Sequence, residues 1–223
     1  MKQVIIFSMM IFISLSVYAN DIYVNQSGAT LDLDITQDGQ NNTVGSASTA
    51  SSVIGATTNL AITQVGDSNV MTFDVNGATY TGTFSVTGDS NNIDFNCDSG
   101  GSNSSCGTAT ASIVWVGSSN DIDIDIGETS SATSATVGIT GASGSDSNTV
   151  LGTIDGNSAI LTLSINGDTN NFLVDIDGNG DSVGHTYIHT HTGSIADVDI
   201  TQSGIYDNMI TLTTSGDNHD IDI

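Results

Sequence analysis

The side chains in this chain that could hold a ligand gather toward its last third. Asp175-Ile176-Asp177-Gly178-Asn179-Gly180-Asp181 sets oxygen donors at alternating positions with glycine at the sixth. That is the pattern of the first half of a Ca²⁺ loop. Such a loop takes its bidentate carboxylate from a position that here is Thr186, so a full EF-hand is excluded. Weak Ca²⁺ binding by Asp175, Asp177, Asn179 and Asp181 is one expectation; a plain Asn-Gly turn is the other. Ca²⁺ is the one cofactor these residues suggest, and none is required. His185, His189 and His191 crowd into H-T-Y-I-H-T-H. His189 and His191 share a strand face, which permits a Zn²⁺ or Cu²⁺ site but equally describes ordinary residues on an outer face. Cys97 and Cys106 lie nine apart around S-G-G-S-N-S-S. In an oxidising compartment they are expected to form a disulfide that staples a hairpin tip. No serine sits in a G-x-S-x-G elbow with a suitable partner. Aspartate at every second strand position describes a solvated face, so a non-enzymatic role is expected.

Composition narrows the partners. The chain has 1 Lys+Arg and 25 Asp+Glu. Residues 1–19 read as a secretory signal: Lys2 is followed by the mostly apolar run Val4 to Val17, then Val17-Tyr18-Ala19 before a cut at Asn20. The run is too short to span a membrane. Cleavage would remove the only base and leave all the acids. A chain without Lys or Arg is unsuited to nucleic acid or anionic lipid, whose phosphates need cationic partners. The expected localisation is extracellular or at the cell surface, with no membrane insertion.

The elements that position these residues read as short strands. Leu31-Asp32-Leu33-Asp34-Ile35, Ile122-Asp123-Ile124-Asp125-Ile126 and Ile160-Leu161-Thr162-Leu163-Ser164-Ile165 alternate apolar and polar side chains. This is the period of a strand buried on one face. Proline is absent, as suits a chain that donates backbone N–H groups along most of its length. Glycines at Gly28, Gly39, Gly66, Gly88, Gly117, Gly144, Gly167, Gly204 and Gly216 punctuate the strands, mostly 22 to 29 residues apart in the centre. Two strands and two turns fit that interval. A unit of that size cannot bury its apolar face alone and must stack. The expected fold is therefore all-β, a β-solenoid of stacked strand–turn–strand repeats forming a single domain over residues 20–223. An irregular β-sandwich is the alternative. A repeated Gly-x-x-Asn phrase favours the solenoid, because stacked identical turns can form asparagine ladders.

The phrase is fullest at Gln37-Asp38-Gly39-Gln40-Asn41-Asn42 and Gln64-Val65-Gly66-Asp67-Ser68-Asn69. There it resembles the curlin repeat of curli-type secreted amyloid subunits. Gln202-Ser203-Gly204 repeats its first half, with Asn208 one place late, and Gln26-Ser27-Gly28 lacks the asparagine. The copies at Gly88/Asn91, Gly117/Asn120 and Gly167/Asn170 keep glycine and asparagine but lose glutamine. The resemblance implies a solenoid that self-assembles end to end into extracellular fibres of biofilm matrix and adhesion. It also implies a nucleator or an outer-membrane export partner, and amide ladders formed by Gln37, Gln64, Asn42 and Asn69.

A second reading is a monomeric secreted binding module for cation, glycan or ice. An ice-binding solenoid needs a threonine array repeated coil after coil. Thr211-Leu212-Thr213-Thr214 suggests one, but the outward positions mix Asp, Ser, Thr and Asn. For the fibre, stacked Asp residues about 4.8 Å apart repel by roughly 0.9 kcal/mol in water before screening. Assembly is therefore expected to be promoted by acid, salt or divalent cations. The strand-like Asp220-Ile221-Asp222-Ile223 is expected to be an assembly edge.

Overall fold

Alternation of the kind just described commits the chain to strands, and strands fill the computed structural model. It describes residues 21–39, 42–45, 50–66, 68–88, 91–97, 106–117, 119–127, 134–142, 144–178 and 184–223. The proposed signal at 1–19 lies outside them. The strands are β1 (Asp21–Ile22), β2 (Asn25–Asp38), β3 (Thr43–Val44), β4 (Ser51–Val65), β5 (Val70–Thr87), β6 (Asn92–Cys97), β7 (Cys106–Val116) and β8 (Asp121–Ile126). They continue with β9 (Ser134–Gly141), β10 (Thr149–Asp155), β11 (Ala159–Asn166), β12 (Asn170–Asp177), β13 (Thr186–Thr192), β14 (Ala196–Gln202), β15 (Met209–Ser215) and β16 (Asp220–Asp222). No helix occurs among the described residues, so none there is long and apolar enough to cross a membrane.

All ladder pairs among these strands are parallel. A sandwich of short hairpins would be antiparallel, since parallel neighbours need a crossover between them. Here the crossover of each strand is the strand on the opposite face. The fold is a β-solenoid of about seven turns.

On the first face, residues 30–38 of β2 are followed by 57–65 of β4, 79–87 of β5, then β7, β9, β11, β13 and β15. On the second, β1, β3, residues 70–75 of β5, β6, β8, β10, β12, β14 and β16 follow one another. Near one end β4 and β5 run unbroken round a corner, so both faces belong to one continuous sheet.

Inward side chains of the two faces meet in a single core. One column on the first face runs Ile35, Ile62, Phe84, Ile113, Ile139, Leu163, His189, Leu212. A column on the second runs Val44, Met71, Ile93, Ile122, Val150, Phe172, Val198, Ile221. Like residues stack on like, and size changes are absorbed locally. Trp115 is fully buried and lies over Gly141, where a Cβ would sit 2.7 Å from Trp115 Cζ2. Across the core, Tyr80 stacks on Phe95 at 4.8 Å, and Phe84 lies 5.8 Å from the same ring.

Candidate functional site

Every turn from the first face to the second passes the same corner, and there the repeated phrase acquires its geometry. Glycine is demanded at this corner by close approach: a Cβ on Gly66 would collide with the Gly39 carbonyl oxygen, and one on Gly88 with that of Gly66. Three residues on, asparagine folds back to close the turn. Asn42, Asn91, Asn120 and Asn170 donate from Nδ2 to the carbonyls of Gly39, Gly88, Gly117 and Gly167 at 2.9, 3.1, 2.9 and 2.9 Å. Asn69 reaches Gly66 at 3.4 Å.

The asparagines also bond to one another along the axis. The backbone N–H groups of Asn69, Asn91, Asn120 and Asn148 donate to Oδ1 of Asn91, Asn120, Asn148 and Asn170 at 3.3, 3.0, 2.9 and 3.0 Å. From Asn91 onward the side-chain Nδ2 donates along the same line, at 3.0 to 3.1 Å. These amides are buried, and each donor satisfied there avoids the cost of an orphaned polar group. Asn148 belongs to the ladder although the glycine-to-asparagine spacing misses it. Gly144 stands four residues before it, and Asn148 Nδ2 donates instead to the Ser145 carbonyl. Its signal was the Asp-Ser-Asn triplet, shared with Asp67-Ser68-Asn69. Beyond Asn170 the position is taken by Ala196, and the ladder stops.

Glutamine makes a shorter ladder. Gln64 Nε2 donates to Gln37 Oε1 at 2.6 Å and to the Val70 carbonyl at 3.4 Å, while Gln37 Nε2 donates to the Thr43 carbonyl at 3.3 Å. The next residues in that column are Val86 and Trp115. Gln202 and Gly204 stand elsewhere. Gln202 ends β14 on the second face, stacked on Ile176, and Gly204 packs near Gly178 at the opposite corner. Gln26 lies in the same second-face column, beside Val53. These two copies of the phrase are half a turn out of phase with the others.

Cys97 and Cys106 form a disulfide with a Cα–Cα distance of 5.5 Å, both buried. It does not staple a hairpin tip. Cys97 ends β6 on the second face and Cys106 begins β7 on the first, so the bond closes a coil corner. Of the cation candidates, Asp175 and Asp177 are exposed on β12, and Ser203 Oγ donates to Asp177; Asn179 and Asp181 lie outside the described residues. No group of three or more potential metal ligands occurs among the described residues.

The histidines reverse their expected placement. His185, His189 and His191 are all buried rather than on an outer face. His189 Nδ1 lies 3.0 Å from the Tyr187 hydroxyl, and its ring meets Phe172 edge-on at 4.5 Å. Burial, then the neighbouring His191, pushes its pKa down to about 4. His191 Nε2 lies 2.8 Å from the Gly167 carbonyl at the end of the amide ladder, and burial lowers its pKa too.

Outward side chains sort by face. The second face carries Asp21, Asp74, Asp94, Asp121, Asp123, Asp125, Asp155, Asp175, Asp177, Asp197, Asp199, Asp220 and Asp222. Asp123 stacks directly on Asp94, and Asp199 on Asp222, while Asp125 lies between Asn96 and Thr153. Burial raises the pKa of Asp94, and the neighbouring carboxylates of Asp74, Asp125 and Asp121 add to the effect. Burial raises Asp74 and Asp125 as well, and the slight desolvation of the largely exposed Asp175, then its neighbour Asp177, raises that carboxyl. The first face from β4 to β15 carries outward Thr, Ser, Val, Ala, Asn, Gly, Ile and Met and no charge.

Comparison with protein-family models, with curated proteins and with solved structures gave no match.

Proposed function

We propose that this chain is a secreted structural protein, a subunit or minor component of a curli-like extracellular fibre, in which solenoids join end to end. One observation carries the reading. Among the described residues, no strand pairs with the outer edge of β2 or of β15, and the two edges match. If β2 of a second copy lies on β15, Leu33 meets Ile210 and Ile35 meets Leu212, each the continuation of its own column. Leu33, Ile210 and Leu212 are only half-buried, unlike their counterparts inside, while Ile35 is already buried. Outward, Asp32, Asp34, Thr36 and Asp38 would stand over Met209, Thr211, Thr213 and Ser215, so no like charges meet on this face. Unpaired N–H and C=O groups along both edges supply the ladder bonds. On the second face β16 already occupies the level that an incoming β1 would take. Docking therefore requires one of these two short strands to give way.

The sequence reading of residues 1–19 as an export signal supports a secreted location. Thioflavin fluorescence and electron microscopy on purified residues 20–223 test the proposal. Long unbranched fibres are the expected result, and a chain that stays monomeric at high concentration would overturn it.

A further inference from the structure

The first face has a property that end-to-end assembly leaves unused. Along its length the column Thr36, Thr63, Ser85, Val114, Thr140, Ser164, Thr190, Thr213 places Ser, Thr or Val on every rung. Across the strands, threonines recur at every second residue, as in Thr79-Tyr80-Thr81-Gly82-Thr83, Thr108-Ala109-Thr110 and Thr211-Leu212-Thr213. Rungs in register repeat about every 4.8 Å, and alternate residues along a strand about every 6.6 Å. The result is one unbroken column of hydroxyl and methyl groups beside a second that runs Ala61, Thr83, Ser112, Gly138, Thr162, Ile188, Thr211. Threonine and valine are stiff at χ1, so these groups hold fixed positions.

We propose that this face is an ice-binding surface whose ligand is the ordered water of an ice crystal. Its rung spacing of about 4.8 Å lies close to the shorter oxygen repeat on the prism planes of hexagonal ice. Hydroxyls can take lattice positions as donors or acceptors, while the methyls border sites where water is caged rather than bonded. Charge would orient water against that lattice, and from β4 to β15 the face has none although the chain carries 25 acids. A second copy is the weaker occupant. Packing this face dry against itself would strip water from its many hydroxyls, which costs free energy unless each finds a partner. A glycan fits less well, because no aromatic side chain points outward from these strands to stack on a sugar ring. The proposal is independent of fibre formation, since the face runs along the axis and not at the ends.

The test measures thermal hysteresis and inhibition of ice recrystallisation by purified residues 20–223. Wild type is expected to show both. Thr110→Asp with Thr140→Asp, exposed positions on β7 and β9, is expected to lose most of each, while Asp199→Asn on the opposite face keeps them. Far-UV circular dichroism checks that the variants fold, and Thr83→Tyr, which adds bulk without charge, serves should the aspartates unfold the chain. Three results would overturn the proposal. Wild type could lack both activities; the first-face variants could match wild type; or light scattering could show wild-type dimers that the variants abolish, with no effect on ice, which would make a second copy the occupant.

Discussion

His189 offers the sharpest test of how the core is built, because a titratable ring sits where its column neighbours Leu163 and Leu212 are aliphatic. Burial pushes the Tyr187 hydroxyl far up, so it stays protonated, 3.0 Å from His189 Nδ1. The other ring nitrogen, Nε2, is buried without a partner. A second proton would place a charge in this apolar setting with no carboxylate in contact. The folded-state pKa of about 4 against an ordinary 6.5 means that the unfolded chain binds more protons between those values. Stability is therefore full above about pH 6.5 and is lost as pH falls toward 4. At about 1.4 kcal/mol per unit, the whole effect is roughly 3 kcal/mol, of which roughly 2 is lost by pH 5. The perturbation is Tyr187→Phe with His189→Leu. It removes the titrating ring and the hydroxyl that would be orphaned, and both new side chains suit their columns. Urea denaturation followed by circular dichroism at pH 7, 6 and 5 gives the comparison. Buried-side carboxylates such as Asp94 shift the other way, gaining on acidification, but they are common to both proteins and cancel in the difference. Wild type is expected to lose roughly 2 kcal/mol more than the variant between pH 7 and pH 5. Parallel profiles would refute the placement of His189 in the core.

Three further outcomes are expected. Gly141→Ala pushes a methyl into Trp115 and should destabilise by about 1–3 kcal/mol in chemical denaturation, with Trp115→Leu restoring much of the loss. Asn120→Ala removes the acceptor of the Asn91 N–H and Nδ2 and should cost about 1–3 kcal/mol for each donor left buried, read from the melting temperature. Fibre growth followed by thioflavin should quicken in acid, salt or divalent cation; deleting residues 220–223 should quicken it further, by clearing the level an incoming β1 needs. Equal growth at pH 8 in low salt with a chelator would count against the charge argument.

Much of this architecture was legible because its two signals are local. Period-2 alternation says which residues face inward, and Gly-x-x-Asn marks a tight corner; Asn42, Asn69, Asn91, Asn120 and Asn170 all join the corner turn that spacing assigned them. What alternation cannot say is which of two faces a strand joins. Hence the outward Asp positions looked scattered along the sequence, whereas from β4 onward the strand Asp residues lie on the second face and the first carries none. The same blindness put Gln202 and Gly204 with the first-corner copies, although half a turn separates them. In Thr186-Tyr187-Ile188-His189-Thr190-His191-Thr192 both alternating sets contain apolar and polar members. Only pairing with Leu161, Leu163 and Ile165 decides that Tyr187, His189 and His191 point inward. The cysteine spacing likewise told of a closed loop but not that the loop turns a coil corner.

Sorting the charges by face also settles where repulsion acts. Within the chain, stacked pairs such as Asp94 with Asp123 or Asp199 with Asp222 each cost roughly 0.9 kcal/mol at about 4.8 Å in water, less in salt. Every rung also buries several Ile, Val, Leu or Phe side chains, each contributing about 1.5–3 kcal/mol, so stacking within one chain wins clearly. Between chains the balance differs on the two faces. On the first, the half-buried Leu33, Ile210 and Leu212 would be covered with no opposed carboxylates. On the second, Asp21 shares its column with Asp220, and the short β1 and β16 offer little apolar surface in return. In end-to-end joining as proposed, the first face would supply the driving force and the second would set its dependence on pH and salt. If the chain forms fibres as proposed, the carboxylate face would keep it dispersed at low ionic strength without blocking the first-face ends.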